Sequence, residues 1–381
     1  MLHTPPLALY AHFPWCVQKC PYCDFNSYTL RDELPQERYI QALTADLQHQ
    51  LAAAAGRPLV SVFFGGGTPS LFPPAAIDRF IDAIRANFEC VPGMEITLEA
   101  NPGTIERGRF AEYRAAGVTR VSLGAQSFAT QQLKLLGRIH SPGETARAAE
   151  ELHAAGLSNF NLDLMYALPG QSPADAEADV VQALALEPQH LSHYQLTIEP
   201  GTVFAGAPPP LPTDEIADEM LDRCQAKLAA AGFVRYEVSA YARAGRECQH
   251  NLNYWSFGDY LGLGAGAHGK LTDAAQNRIV RTQQQREPRR YLASAPLAIS
   301  HAEVTLEQRP FEFMLNALRC TDGFSQRLFE TRTGLPLERI APQLDRLMDH
   351  DLLRSAGDSW QPTERGFRFL NEALVAFLPD K

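Results

Sequence analysis

The chain has 381 residues, 45% hydrophobic and 20% charged, the make-up of a soluble globular protein long enough for more than one domain. A formal net charge of −10 argues against general nucleic-acid binding, which rests on phosphate neutralisation by Lys and Arg. No apolar run reaches membrane-spanning length, Met1–Pro6 lacks a signal-peptide pattern, and seven cysteines with three clustered do not suggest a disulfide framework.

The expectation is therefore a cytoplasmic protein with small-molecule and protein partners; peripheral membrane contact stays open.

In chain order, Leu7–Phe13 reads as a first strand. Cys16, Cys20 and Cys23 follow it in a Cys-x-x-x-Cys-x-x-Cys loop. Structural zinc takes four protein ligands, and no fourth lies nearby unless His12 is recruited. Three thiolates suit an iron–sulfur cluster with one iron left free of protein. A second strand, Val60–Phe64, runs into Gly65-Gly66-Gly67-Thr68-Pro69. No Gly-Lys-Ser/Thr follows, so this is not a phosphate loop. It reads either as a strand-end turn or as a place where backbone approaches a ligand closely.

Strands Glu95–Ala100, Arg120–Ala125, Asn159–Leu168 and His190–Ile198 alternate with helical segments 36–55, 74–88, 104–116, 129–155 and 173–185. This alternation predicts an α/β fold with a parallel sheet and helices outside, and pattern alone does not separate an open sheet from a partial barrel. Glu99, Gln126 and Asp163 then share the carboxyl-end rim with the cysteine and glycine loops.

A Pro-rich connector at 205–212 precedes a helix (213–231), a strand (Phe233–Tyr241) and a loop-rich stretch, 242–290. That stretch carries His250-Asn251-Leu252-Asn253-Tyr254-Trp255, and a basic run of Arg278, Arg281, Arg286, Arg289 and Arg290 read as a solvated loop face, with a ligand's carboxylates or an acidic partner as the alternative. From about 300 the pattern turns to helices with short strands Leu352–Arg354 and Ser359–Gln361, a small winged-helix-like unit. Its 13 acidic and 10 basic residues make DNA binding a poor reading. The expected division is 1–205, 206–299 and 300–381.

The cysteine spacing, with Tyr22 just before the third cysteine, resembles the radical S-adenosylmethionine (SAM) superfamily. The resemblance implies a partial (β/α)6 barrel and a [4Fe–4S] cluster held by Cys16, Cys20 and Cys23. SAM would chelate the fourth iron, its amino group meeting the Gly65–Pro69 run. The strings Val121–Phe128 and Asn161–Gly170 resemble those of oxygen-independent coproporphyrinogen III oxidases, and the likeness covers nearly the whole chain. It implies that Tyr10, Tyr22, Gly66, Gly67, Thr68, Glu99, Gln126, Arg138, Asp163 and, by backbone, Thr197 surround SAM.

Two features depart from the oxidase pattern. Phe25 stands where the oxidases carry a fourth cysteine, and the first cluster cysteine already falls at residue 16, without their long N-terminal extension. With the His250 motif, these features are similar to the oxidase-like relatives described as haem chaperones. The implied function is haem binding and delivery to acceptor haemoproteins, such as respiratory ones. His250 is then the expected haem ligand, with Cys248 as a competing axial candidate and His268 facing the SAM pocket. A packed structural histidine is the plain alternative for His250. Oxidative decarboxylation of coproporphyrinogen, or another radical SAM reaction, is the alternative activity.

Overall fold

A computed structural model of the protein describes residues 1–104, 108–294 and 299–379. The six expected strands are present as β1 (Leu7–Phe13), β2 (Leu59–Gly66), β3 (Cys90–Ala100), β4 (Arg120–Gln126), β5 (Phe160–Tyr166) and β6 (His190–Gln195). They lie side by side in that order, all parallel. The connecting helices include α1 (Gln36–Ala54), α2 (Pro74–Asn87) and α3 (Arg109–Ala115). Residues 105–107 of the expected helix 104–116 lie outside the described residues.

Each strand alternates with period two. Leu9, Ala11, Val62, Phe64, Leu98 and Leu123 join one apolar core with Leu43 and Leu47 of α1 and with Ile77 and Phe80 of α2. The alternate positions are polar: Ser61, Thr97, Ser122, Asn161, Asp163 and Ser192. All but Thr97 hydrogen-bond on the opposite face, with Asn161 donating to Ser122 (2.8 Å) and His190 bonding Asn161 (2.7 Å). A helix-covered outer face and a polar inner face are what a site-bearing barrel interior requires.

The expected continuous helix 129–155 is two helices, α4 (Thr130–Leu135) and α5 (Pro142–Ala154). Gly137 takes φ +65°, its N–H bonds Lys134 O, and Arg138 N–H bonds Leu133 O. That paired closure ends a helix at a left-handed glycine. Ser141-Pro142 restarts it, with Ser141 N–H donating to Glu144 Oε2 at 2.7 Å. The same start recurs at α6 (Pro173–Ala185), where Ser172 N–H meets Asp175 Oδ2 at 2.9 Å.

The stretch 242–290 is not loop-rich. It forms α8 (Gln249–Trp255), β9 (Asp259–Leu263), β10 (His268–Asp273) and β11 (Arg278–Gln283), after α7 (Asp214–Ala230), β7 (Val234–Glu237) and β8 (Ala240–Ala242). β9 pairs parallel with β1, and with β12 (Ser300–Glu303) the sheet reaches twelve strands in the order β12-β11-β10-β9-β1-β2-β3-β4-β5-β6-β8-β7. The strands are short and glycine-punctuated, which hid them. Gly262 leaves room for His268 O only because it has no Cβ, which would sit 1.9 Å away. Arg278 and Arg281 consequently lie in a strand, paired with Glu303 (2.9 Å) and Glu312, rather than on a solvated loop.

The sheet curves over its polar face. Cys248, just before α8, donates its backbone N–H to Tyr236 OH (3.3 Å) and points its thiol to Glu95 (3.5 Å), so β7 and β3 meet across the interior. From 304 onward a second core gathers Phe313, Met314, Phe324, Phe329, Leu344 and Leu353. It contains a three-stranded sheet of Phe324–Ser325, Ser359–Pro362 and Leu353–Ala356. Leu2 and Phe257 also belong to this core.

Candidate functional site

A cavity of about 630 Å³ opens at the carboxyl ends of the parallel strands. Of the site residues named from sequence, the three cysteines and the expected SAM-contacting set line it except Tyr10; His250, Cys248 and His268 do not. The loop after β1 supplies Cys16, Cys20, Tyr22 and Cys23; the end of β2 supplies Gly66, Gly67 and Thr68. Glu99, Gln126, Arg138, Asp163 and Thr197 complete the expected set, and Ser122, Tyr194 and Arg319 stand beside them.

The cysteine loop is held open by its own backbone and by Lys19. Leu30 N–H reaches Cys16 O (2.8 Å), and the Lys19 ammonium donates to Phe25 O (3.0 Å) and Ser27 O (3.1 Å). All three thiols are half-buried. Burial pushes the Cys16 and Cys23 thiols up, so each holds its proton until a metal displaces it. His12 is not a fourth ligand: Tyr10 OH donates to its Nδ1 (2.9 Å), and its Nε2 bonds Asn26 O (2.9 Å). The donor set fits a cluster with one iron free of protein. Phe25, 61% exposed, sits on the rim where it offers no sulfur.

Glycine is required in the cradle. Gly66 has φ +115°, and a Cβ there would lie 2.4 Å from the His12 ring; at Gly67 it would lie 2.6 Å from Trp15 O. Gly67 N–H and Thr68 N–H tie this turn to Phe13 O (2.7 Å) and Trp15 O (2.8 Å), locking the glycine run against the cysteine loop.

Gly66 N–H donates to Glu99 Oε2 at 3.0 Å. Burial, and then the nearby Asp163 charge, push the Glu99 carboxyl up to about 8. Burial likewise raises Asp163, although Asn161 Nδ2 (2.7 Å) and Ser122 Oγ (3.3 Å) donate to it. Two acids held in this way favour a cationic ligand. Gln126 adopts φ +66°, unusual for a non-glycine residue, and accepts Tyr194 OH at 2.8 Å. Arg138 donates to Gly124 O (2.7 Å) and reaches Cys20 Sγ (3.6 Å), so the helix break between α4 and α5 delivers it beside the thiols. Thr197 is exposed on the wall and donates to Glu199 (2.7 Å).

The interior beneath holds the residues that miss the wall. Tyr10 lies behind the glycine run. His250 is 1% exposed, with Nδ1 on Ser61 Oγ at 2.9 Å and its ring between Phe63 (5.0 Å) and Tyr254 (4.6 Å). Its Nε2 is buried without a partner. Tyr10 (6.5 Å), Phe63 and Tyr254 surround its ring. As packed, His250 lies beneath the cavity, off its wall, with Nδ1 on Ser61 and Nε2 free of partners. Cys248 is fully buried, its thiol pushed up to about 12 by burial, and His268 is exposed away from the cavity wall.

Arg319 carried no signal in the sequence. It follows α9 (Arg309–Ala317) in the C-terminal unit, remote in sequence from every other wall residue.

Comparisons with known proteins show the family. The radical SAM superfamily profile matches residues 10–182, and the HemN C-terminal domain matches 304–369. The chain is 48% identical over 380 residues to heme chaperone HemW of Escherichia coli strain K12, covering 100% of both. It is 45% identical to heme chaperone HemW of Haemophilus influenzae, again over 100% of both. Among solved structures, coproporphyrinogen III oxidase (HemN) from Escherichia coli, described as a radical SAM enzyme, matches with a TM-score of 0.82. That match covers 98% of this chain and 90% of the other at 23% identity, and it establishes the fold alone.

Proposed function

We infer function from family: the chain belongs to the HemW family of radical SAM proteins, and we propose that it is a haem chaperone. The family implies a [4Fe–4S] cluster and SAM. The observation that carries the assignment of residues is the convergence of three half-buried thiols, a glycine cradle and two half-buried acids on one cavity.

Cys16, Cys20 and Cys23 would hold the cluster. Gly66, Gly67 and Thr68 would receive the methionine end of SAM, with Glu99 facing its ammonium and Arg138 its carboxylate. Asp163 would accept the ribose hydroxyls, and Tyr22, Gln126 and the Thr197 backbone would shape the adenosine side. Tyr10 acts from behind, through His12 and the glycine run. When bound, cluster and SAM together supply one-electron chemistry; this chain's residues bind, orient and shield them. Haem is the cargo, passed to acceptor haemoproteins. No described helix is long and apolar enough to cross a membrane, and we place the protein in the cytoplasm, where reduced thiols are maintained.

The test is anaerobic: reconstitute the cluster, titrate haem, then mix the loaded protein with an apo-haemoprotein. Stoichiometric uptake and recovery of acceptor activity are expected. Turnover of coproporphyrinogen III to protoporphyrinogen with SAM and reductant would replace this reading with the oxidase one.

A further inference from the structure

We propose that Arg319 is the carboxylate anchor for the cargo: its guanidinium binds a propionate of haem at the wall of the SAM cavity. This deepens the haem-chaperone reading and rests on it. Haem is an apolar disc whose anionic groups are its propionates, so a protein that holds it beside a polar cavity needs a cation directed at a carboxylate.

Arg319 reaches the cavity because the C-terminal unit is stitched to the edge of the sheet. Val238 N–H bonds Arg319 O (3.0 Å), Thr321 N–H bonds Tyr236 O (3.0 Å), and Glu237 bridges Cys320. The side chain is then fixed from two sides. Its Nη2 donates to Glu237 Oε2 at 3.0 Å, and its guanidinium lies 4.4 Å over the Trp255 ring. A side chain already held in place loses little freedom when it binds.

Donors remain. A guanidinium carries five N–H groups, the Glu237 contact uses one, and Nε is buried without a partner. Glu237 does not spend all its charge on Arg319, because its Oε1 accepts Ser239 N–H and Oγ at 3.1 Å each. A buried unpartnered donor beside a cavity is a position for an acceptor.

The acceptor has two possible sources, the methionine carboxylate of SAM or a haem propionate. Arg138 already stands beside Cys20, where the cluster-bound end of SAM belongs. Arg319 stands instead with Glu237 and Trp255, the latter from the same helix as His250. The geometry therefore assigns Arg319 to the cargo.

The experiment uses the full chain with its cluster reconstituted. Ferric haem and ferric haem dimethyl ester are titrated into wild type, Arg319→Gln and Arg319→Lys, with SAM affinity measured in parallel. Wild type should prefer free haem by about tenfold or more, the strength of a charge-assisted hydrogen bond. Arg319→Gln should bind both forms alike, Arg319→Lys should keep part of the preference, and SAM affinity should not change.

Equal binding of haem and ester by wild type overturns the anchor, and that comparison needs no substitution. Loss of SAM affinity with an intact haem preference assigns the carboxylate to SAM and also overturns it. Wild type that binds neither haem form removes the haem reading itself, a separate failure.

Discussion

Burial, and then the Asp163 charge, push the Glu99 carboxyl up to about 8 from its ordinary 4.5, against the Gly66 N–H bond that favours its ionised form. The ligand-free chain therefore folds with this group protonated at neutral pH, whereas the unfolded chain has it ionised. Its contribution to stability is fully present below about pH 4.5 and is lost as pH rises through about 8. A cationic ligand needs the ionised form, so SAM affinity should rise toward pH 8, by up to about tenfold per pH unit while the group is mostly protonated. Calorimetric SAM titrations from pH 6 to 9 check this; in Glu99→Gln the affinity should be weak and the slope absent, and an unchanged slope refutes the assignment. His250→Ala bears on the floor of the barrel. It empties the space between Phe63 and Tyr254 and strips Ser61 Oγ of its partner, at a cost of roughly 2–4 kcal/mol. Denaturant unfolding measures it, and a haem spectrum in His250→Gln like that of wild type is expected from a packing residue. At this scale the sequence is readable where the chemistry is local. Gly66, Gly67 and Thr68 are one short run, and three cysteines are one loop. Arg319 and His250 owe their positions to the fold, and nothing adjacent in sequence marks one as wall and the other as floor.

The break between α4 and α5 has consequences for the site at the scale of an element. A helix continued through 136–141 would carry Arg138 onto a helix face. The left-handed Gly137 instead turns the chain so that Arg138 meets Gly124 O and Cys20. Gly137 also packs on the cysteine loop, where a Cβ would lie 2.8 Å from Pro21 Cδ, and Gln18 Nε2 bonds its carbonyl at 3.2 Å. Gly137→Ala should cost about 1–2 kcal/mol from the backbone conformation alone. It should also lower the iron retained after reconstitution, read by iron analysis beside a thermal melt; lowered stability with full iron content would separate the helix cap from the loop. Ala-rich periodicity ran through 129–155 and masked this break, although Gly137 and Ser141-Pro142 signal it locally. The strands β9 to β11 were hidden for a different reason. They are five or six residues long and rich in Gly and charge, and they become strands by pairing with β1 and with each other. The apolar strands β1 to β6 needed no such context, since their alternation and the helices between them already specify a parallel sheet.

At the scale of the whole molecule, the C-terminal unit completes the wall of a site otherwise built by the parallel strands and the loops that follow them. Arg309, at the start of α9, is 1% exposed and clasps both units. Its Nη2 donates to Asn277 O at 2.6 Å in the turn between β10 and β11, and its Nη1 donates to Asn277 Oδ1 (3.2 Å) and to Thr333 O (2.9 Å). Arg319 leaves the other end of the same helix and meets Glu237 and Trp255. One nine-residue helix thus links the β10–β11 turn to β7, the edge strand at the other end of the sheet. Arg309→Met keeps the apolar stem and leaves three acceptors unpaired, which should cost about 2–4 kcal/mol. Hydrogen exchange should then show lost protection across 304–369, with the iron content of the cysteine loop unchanged, because the loop is tied to β1 and β2. Since α9 also delivers Arg319, the same variant should narrow the preference for haem over its dimethyl ester while leaving SAM affinity intact. A C-terminal unit loosened without any change in that preference would mean that Arg319 is placed by the Glu237 and Trp255 contacts alone, and not by the helix that carries it.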